Sequence, residues 1–146
     1  MASTHVQKQC ESWIVNHWLP EKYGCVFSEE KMKMQGRGNF KFDAVSDNKE
    51  IIGNVSTASA LTYRGSVASG KKSKLRADCL MLALVSAKTK LMLLTEADMA
   101  GFASKEQKEG RLPLDIQICH VELPEKLKIQ LSEARDTASK EVRNRA

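Results

Sequence analysis

The chain of 146 residues has four cysteines without a Cys-x-x-Cys pair, three histidines without ligand spacing, and no internal repeat. Nor does any apolar run approach the roughly eighteen residues that a membrane span needs. Cys10, Cys25, Cys79 and Cys119 lie far apart, each in or beside an apolar run, and read as buried thiols of a reducing compartment. His5, His17 and His120 fall on distant segments, which argues against a structural zinc site. Residues 1–9 lack the charged start and apolar stretch of a secretory leader, so a cytoplasmic protein with no membrane partner is expected. With no linker-like segment either, residues 1–146 predict one domain, large enough to bury roughly two-thirds of the surface that its unfolded form exposes.

What is present reads as alternating elements. Val6, Cys10, Trp13, Ile14, His17 and Trp18 recur at helical steps between a cap at Thr4 and a stop at Pro20. Strand-like composition follows over 23–34, then a turn at Gln35-Gly36-Arg37-Gly38. Segments 40–46 and 51–57 flank the turn Asp47-Asn48-Lys49-Glu50 and predict an antiparallel hairpin. Strand alternation puts Phe40, Phe42 and Ala44 on one face and Lys41, Asp43 and Val45 on the other. Residues 58–70, rich in Ser, Ala and Gly, predict a mobile surface loop.

The second half begins with a buried helix over 74–87, apolar on nearly every side from Ala77 onward. The continuous run 91–94 predicts a central strand. Thr95 with Asp98 predicts an N-cap pair for a helix running to about Lys108, and 115–121 a further strand with Ile116 and Ile118 inward. A charged helix runs from Pro124 to about Val142, and its Leu127, Ile129, Leu131 and Val142 imply either packing or the seam of a homodimer. The order αβββαβαβα predicts an α/β domain with a mixed central sheet flanked by helices.

Asp43 is the chemically informative position, a carboxylate within an otherwise apolar strand, where leaving it unpaired would be costly. Beyond the hairpin, Arg64, Lys71, Lys72, Lys74 and Arg76 place five positive charges before the first acid, Asp78. With a formal net charge of +5, this cluster is a natural contact set for nucleic-acid phosphates, DNA or RNA. The Gly65 to Gly70 spacing before Lys71 resembles a phosphate loop, but Lys72 stands where that loop needs Ser or Thr, which argues against a nucleotide triphosphate site.

The order α-β-β-β-α-β, with an acid at the centre of the hairpin and a basic helix after it, resembles the PD-(D/E)XK nuclease superfamily, the restriction-endonuclease-like fold. The similarity covers residues 6–95 and rests on the order of elements. In that family a first-helix glutamate, a strand aspartate and an acid-x-lysine pair on the next strand converge on a divalent metal. By position these would be Glu11, Asp43, and the pair Asn54 and Ser56. The last two depart from the pattern. Asn54 can ligate a hard cation only as a neutral oxygen, and Ser56 cannot replace a lysine, a part that would fall to Lys72 or Lys74. The resemblance therefore implies a nucleic-acid-binding protein of nuclease fold with a degenerate motif. The alternative it implies is a Mg²⁺-dependent phosphodiesterase with a rearranged site: Asp43, Glu11 and Asn54 on the metal, with Lys72 or Lys74 positioning phosphate or water. A protein–protein assembly module using the last helix is the second alternative.

Overall fold

The computed structural model describes residues 2–36, 38–61, 65 and 67–145, with side chains described from Thr4 to Ala138 within those bounds. Five strands, β1 (Phe27–Lys33), β2 (Asn39–Ser46), β3 (Ile51–Ser56), β4 (Thr89–Leu94) and β5 (Ile116–His120), form one sheet in chain order. β1, β2 and β3 pair antiparallel, whereas β3, β4 and β5 pair parallel, so the sheet is mixed. Parallel pairing requires crossovers, and these are the helices α3 (Ser69–Leu84) and α4 (Ala97–Lys108). Helices α1 (Ala2–Trp13), α2 (Leu19–Tyr23) and α5 (Glu125–Arg145) complete the expected αβββαβαβα order, α1 and α2 being joined through a π turn at Ile14–Trp18.

The sheet is buried on both sides. Phe42, Val45, Ile52, Met92, Leu94 and Ile116 pack with α3 and α4 through Leu75, Cys79, Leu82, Met99 and Ala103. Ala44, Val55, Leu91 and Leu93 pack on the opposite side with Cys10, Ile14 and Leu19 of the N-terminal helix and Leu131 of α5. β4 feeds both cores, which is why residues 91–94 are apolar without alternation. Leu127 and Leu131 take up the apolar side of α5 in this packing, while Ile129 stays half exposed. No helix among the described residues is long and apolar enough to cross a membrane.

Four local expectations are corrected. The first helix already includes Thr4, and it does not stop at Pro20. The π turn lets the backbone N–H of Leu19 reach the carbonyl of Ile14, so the ladder is already opened where Pro20 has no N–H to donate. The helix ends instead at Gly24, whose positive φ of 70° and 2.8 Å bond to the Pro20 carbonyl close the last turn.

Between β1 and β2, Ser28 lies opposite Val45 and Glu30 opposite Phe42, so Glu29 alone faces both Asp43 and Ala44. This β-bulge breaks the alternation: Phe42 and Val45 share the α3 side, and Ala44 turns to the α1 side.

Of the 58–70 segment expected to be a mobile loop, residues 62–64 and 66 lie outside the described residues, while its two ends are joined by hydrogen bonds. The Asp98 carboxylate accepts from Ser59 Oγ at 2.5 Å and from the Ala60 N–H at 3.1 Å, and Ala68 N–H bonds the Ala60 carbonyl. Helix α3 accordingly starts at Ser69, five residues before expectation.

Asp98 is therefore occupied outside its own helix, and the Thr95 hydroxyl donates to Glu96, so no Thr95 cap forms on α4.

Candidate functional site

The site forms where β2 and β3 part. Their ladder runs through Val45–Ile52 and Ala44–Gly53, and beyond it side chains replace backbone partners. Asp43 Oδ2 accepts the Val55 N–H at 2.8 Å, and Asn54 Oδ1 makes a long 3.5 Å contact with the Asp43 N–H. The Asn54 Nδ2 donates across to the Asp78 carbonyl of α3 at 3.3 Å. Asn54 is almost fully buried, so its amide is a splint joining β2, β3 and α3. That task occupies the oxygen assigned to a cation by the sequence pattern. Ser56 does not join the group either, since its hydroxyl accepts the Ala58 N–H.

Three carboxyls share this corner. Burial pushes Glu11 of α1 up to about 7, with the nearby Asp43 adding to the shift and Lys74 opposing it. Asp78 of α3 is pushed up to about 6, again by burial first, then lowered by Lys74 and raised by Asp43. Asp43 is raised by burial, with the Val55 N–H as the main opposing influence. Lys74 thus acts electrostatically on all three acids, and Asp43 couples to the other two. On the outer side a cavity of about 490 Å³ opens between α1, β1 and β2, lined among others by Lys8, Glu11, Asn16, Glu29, Lys41 and Asp43. Its rim carries the Glu29–Lys41 ion pair at 2.9 Å.

The basic cluster divides. Lys74 faces the acids, and Lys71 lies one turn earlier on the same stripe of α3. Lys72 and Arg76 turn toward α4 and lie 4.5 and 5.4 Å from the Phe102 ring centroid. Arg76 also bonds Glu106 at 2.5 Å, and Glu106 is shared with Arg111. Lys74, and not Lys72, therefore occupies the Asp43 side. Arg64 lies outside the described residues.

Sequence reading did not single out Asp78, and the signal was faint. It follows Lys74 by four residues on one face of α3, but no local pattern shows which face of that helix meets Asp43. Glu29 was equally hidden, because a bulge in the partner strand is what sets it against Asp43.

The donors are chemically suited to a hard cation, which prefers carboxylate oxygen. They are not preassembled as a cage, since no group of three or more His, Cys, Asp or Glu among the described residues is placed to hold an ion. Every buried side-chain N or O among those residues has a hydrogen-bond partner, so no orphaned atom marks an ion position. Mg²⁺ is usually held by one or two carboxylates with a substrate phosphate, and the acids here offer that number.

The fold defines a class, a three-layer α/β protein with a five-stranded mixed sheet and a titratable site at the parting of two antiparallel strands. No family model, curated protein or solved structure matches the chain significantly.

Proposed function

We propose that the chain binds nucleic acid, with backbone phosphate laid across the Asp43 corner, in a nuclease-like site whose charged groups come partly from α3. The observation that carries this reading is the convergence of Lys74 with Glu11, Asp43 and Asp78. The resemblance to PD-(D/E)XK domains asks for an acid and a lysine at Asn54 and Ser56. Asp78 and Lys74, one helical turn apart, offer the same two charges from the neighbouring helix, and the Asn54 amide holds that helix against the strand. Partly desolvated, mutually coupled ionisable groups in a cleft stabilise nothing by themselves and are a mark of functional sites. Lys8 on the cavity wall and Lys74 beside the acids supply positive charge for a phosphate.

A second reading, phosphodiester hydrolysis, is favoured by the same carboxyls, whose proton-holding state a bound cation would displace. Two of Glu11, Asp43 and Asp78 would hold Mg²⁺, which would activate water and offset charge developing on the phosphate. Lys74 would then orient the phosphate, and Asn54 would keep α3 in place.

The test is incubation with single- and double-stranded DNA and RNA in Mg²⁺ and in Mn²⁺, beside folded Asp43→Ala and Lys74→Ala variants. Binding that weakens with salt and with Lys74→Ala, without cleavage, supports the binding reading. Metal-dependent cleavage lost in Asp43→Ala moves the protein to the hydrolytic one. Neither binding nor cleavage with any nucleic acid removes both.

A further inference from the structure

We infer that the outer face of the N-terminal helix carries a subsite for an unpaired nucleotide, so that the preferred ligand is a single strand. This rests on the nucleic-acid reading above. A second hollow, of about 410 Å³, runs along α1 and the π turn and is lined by His5, Lys8, Ser12, Trp13 and His17, with Leu127 of α5 at its edge. It shares Lys8 and Ser12 with the Asp43 cavity, so the two hollows adjoin over one stretch of helix.

Their chemistry differs. The Asp43 cavity contains Glu11, Glu29 and Asp43, whereas no carboxylate among the described residues lines the second groove. There the charged and aromatic groups are an ammonium, two imidazoles and an indole. Trp13 is half-buried, which fixes its ring while leaving part of it open. A fixed flat ring beside a cation suits a nucleobase attached to a phosphate, because every base has a face that can stack.

The groove lies on a helix surface, and a base inside a duplex cannot reach it without being unstacked and unpaired. An unpaired strand has no such cost. A phosphate at the Asp43 corner would leave a neighbouring base near Lys8, at the junction of the hollows. The π turn contributes as well, since it carries both Asn16, which lines the Asp43 cavity, and His17, which lines the groove.

The experiment is fluorescence anisotropy with a short single-stranded oligonucleotide and the duplex of the same sequence, without added metal. Wild type, Trp13→Leu, His17→Ala and Lys74→Ala are compared, and Trp13 emission is followed in a Trp18→Phe background. His17 is exposed, so His17→Ala keeps the test valid if Trp13→Leu fails to fold. The strand is expected to bind at least ~10-fold tighter than the duplex, and to lose roughly 5- to 10-fold with His17→Ala or Trp13→Leu. Quenching of Trp13 emission by the strand completes the expected result. Equal affinity for strand and duplex, or a strand preference that neither groove variant alters, overturns the subsite. Weakening by Lys74→Ala in that same experiment would leave the phosphate site standing. No binding of either oligonucleotide overturns both.

Discussion

Asp43 holds its position through main-chain bonds, and this decides how its neighbours behave. Its carboxylate replaces a carbonyl as acceptor for Val55, while Asn54 reaches back to Asp43 and across to α3. Asn54→Ala removes both Asn54 contacts, the one with the Asp43 N–H and the one with the Asp78 carbonyl. A loss of about 1–3 kcal/mol in urea unfolding is expected. Glu11 gives a prediction with a sign. In the unfolded chain its carboxyl releases its proton near 4.5, but in the fold it keeps it until about 7. Between these values the folded state binds the extra proton, so stability falls as pH rises through the window and levels off above it. Asp78 adds a parallel loss between its ordinary 3.8 and about 6. Glu11→Gln should therefore stabilise the protein at pH 8 by about 1 kcal/mol, the full shift being reduced by solvent screening of a partly exposed group. At pH 4 the gain should vanish. An equal gain at both pH values would mean that ionisation is not its source.

Two elements do more than their sequences announce. The bulge in β2 sets Glu29 against both Asp43 and Ala44, and the alternation expected for a regular strand gives no sign of it. β3 is fixed to β4 by a different device. A Cβ on Gly53 would lie 3.1 Å from the Leu91 carbonyl oxygen and 3.2 Å from Leu93 Cδ1, so Gly53→Ala should force the strands apart at about 1–3 kcal/mol. A thermal midpoint equal to wild type would show that the neighbours yield freely. Ahead of α3, Asp98 gathers the chain at Ser59 and Ala60. In Asp98→Ala the amide of Ala60 should exchange with solvent faster while those of β4 keep their protection. Unchanged exchange at Ala60 would show that the Leu61–Val67 bridge and the Ala68–Ala60 bond suffice.

At the scale of the whole molecule, helices on both faces of the sheet leave the β2–β3 parting as the corner where α1, β2 and α3 meet. That corner carries acids inside and lysines around it, so salt should act on any phosphate contact. Lys74→Ala is expected to reduce the slope of log affinity against log salt by about 1, whatever the base sequence. A slope unchanged by the substitution would place the phosphates elsewhere.

The sequence by itself determined the order of elements, the antiparallel hairpin, the central place of β4 and the inward side of β5. Each is written in local periodicity and turn residues, which need no distant partner to be read. Asp43 was legible as a carboxylate within an apolar strand, whereas Glu11 was marked only by its position in the resemblance. Only the tertiary structure decided that Lys74 and not Lys72 faces them, that Asp78 joins them, and that Asn54 is a splint. Those outcomes depend on how α3 packs against the sheet and on a one-residue bulge in β2. A shift of one residue in a helix turns a side chain by about 100°, and in a strand it reverses its face. Composition carries no record of such shifts, because they are set by which backbone groups find partners across the sheet.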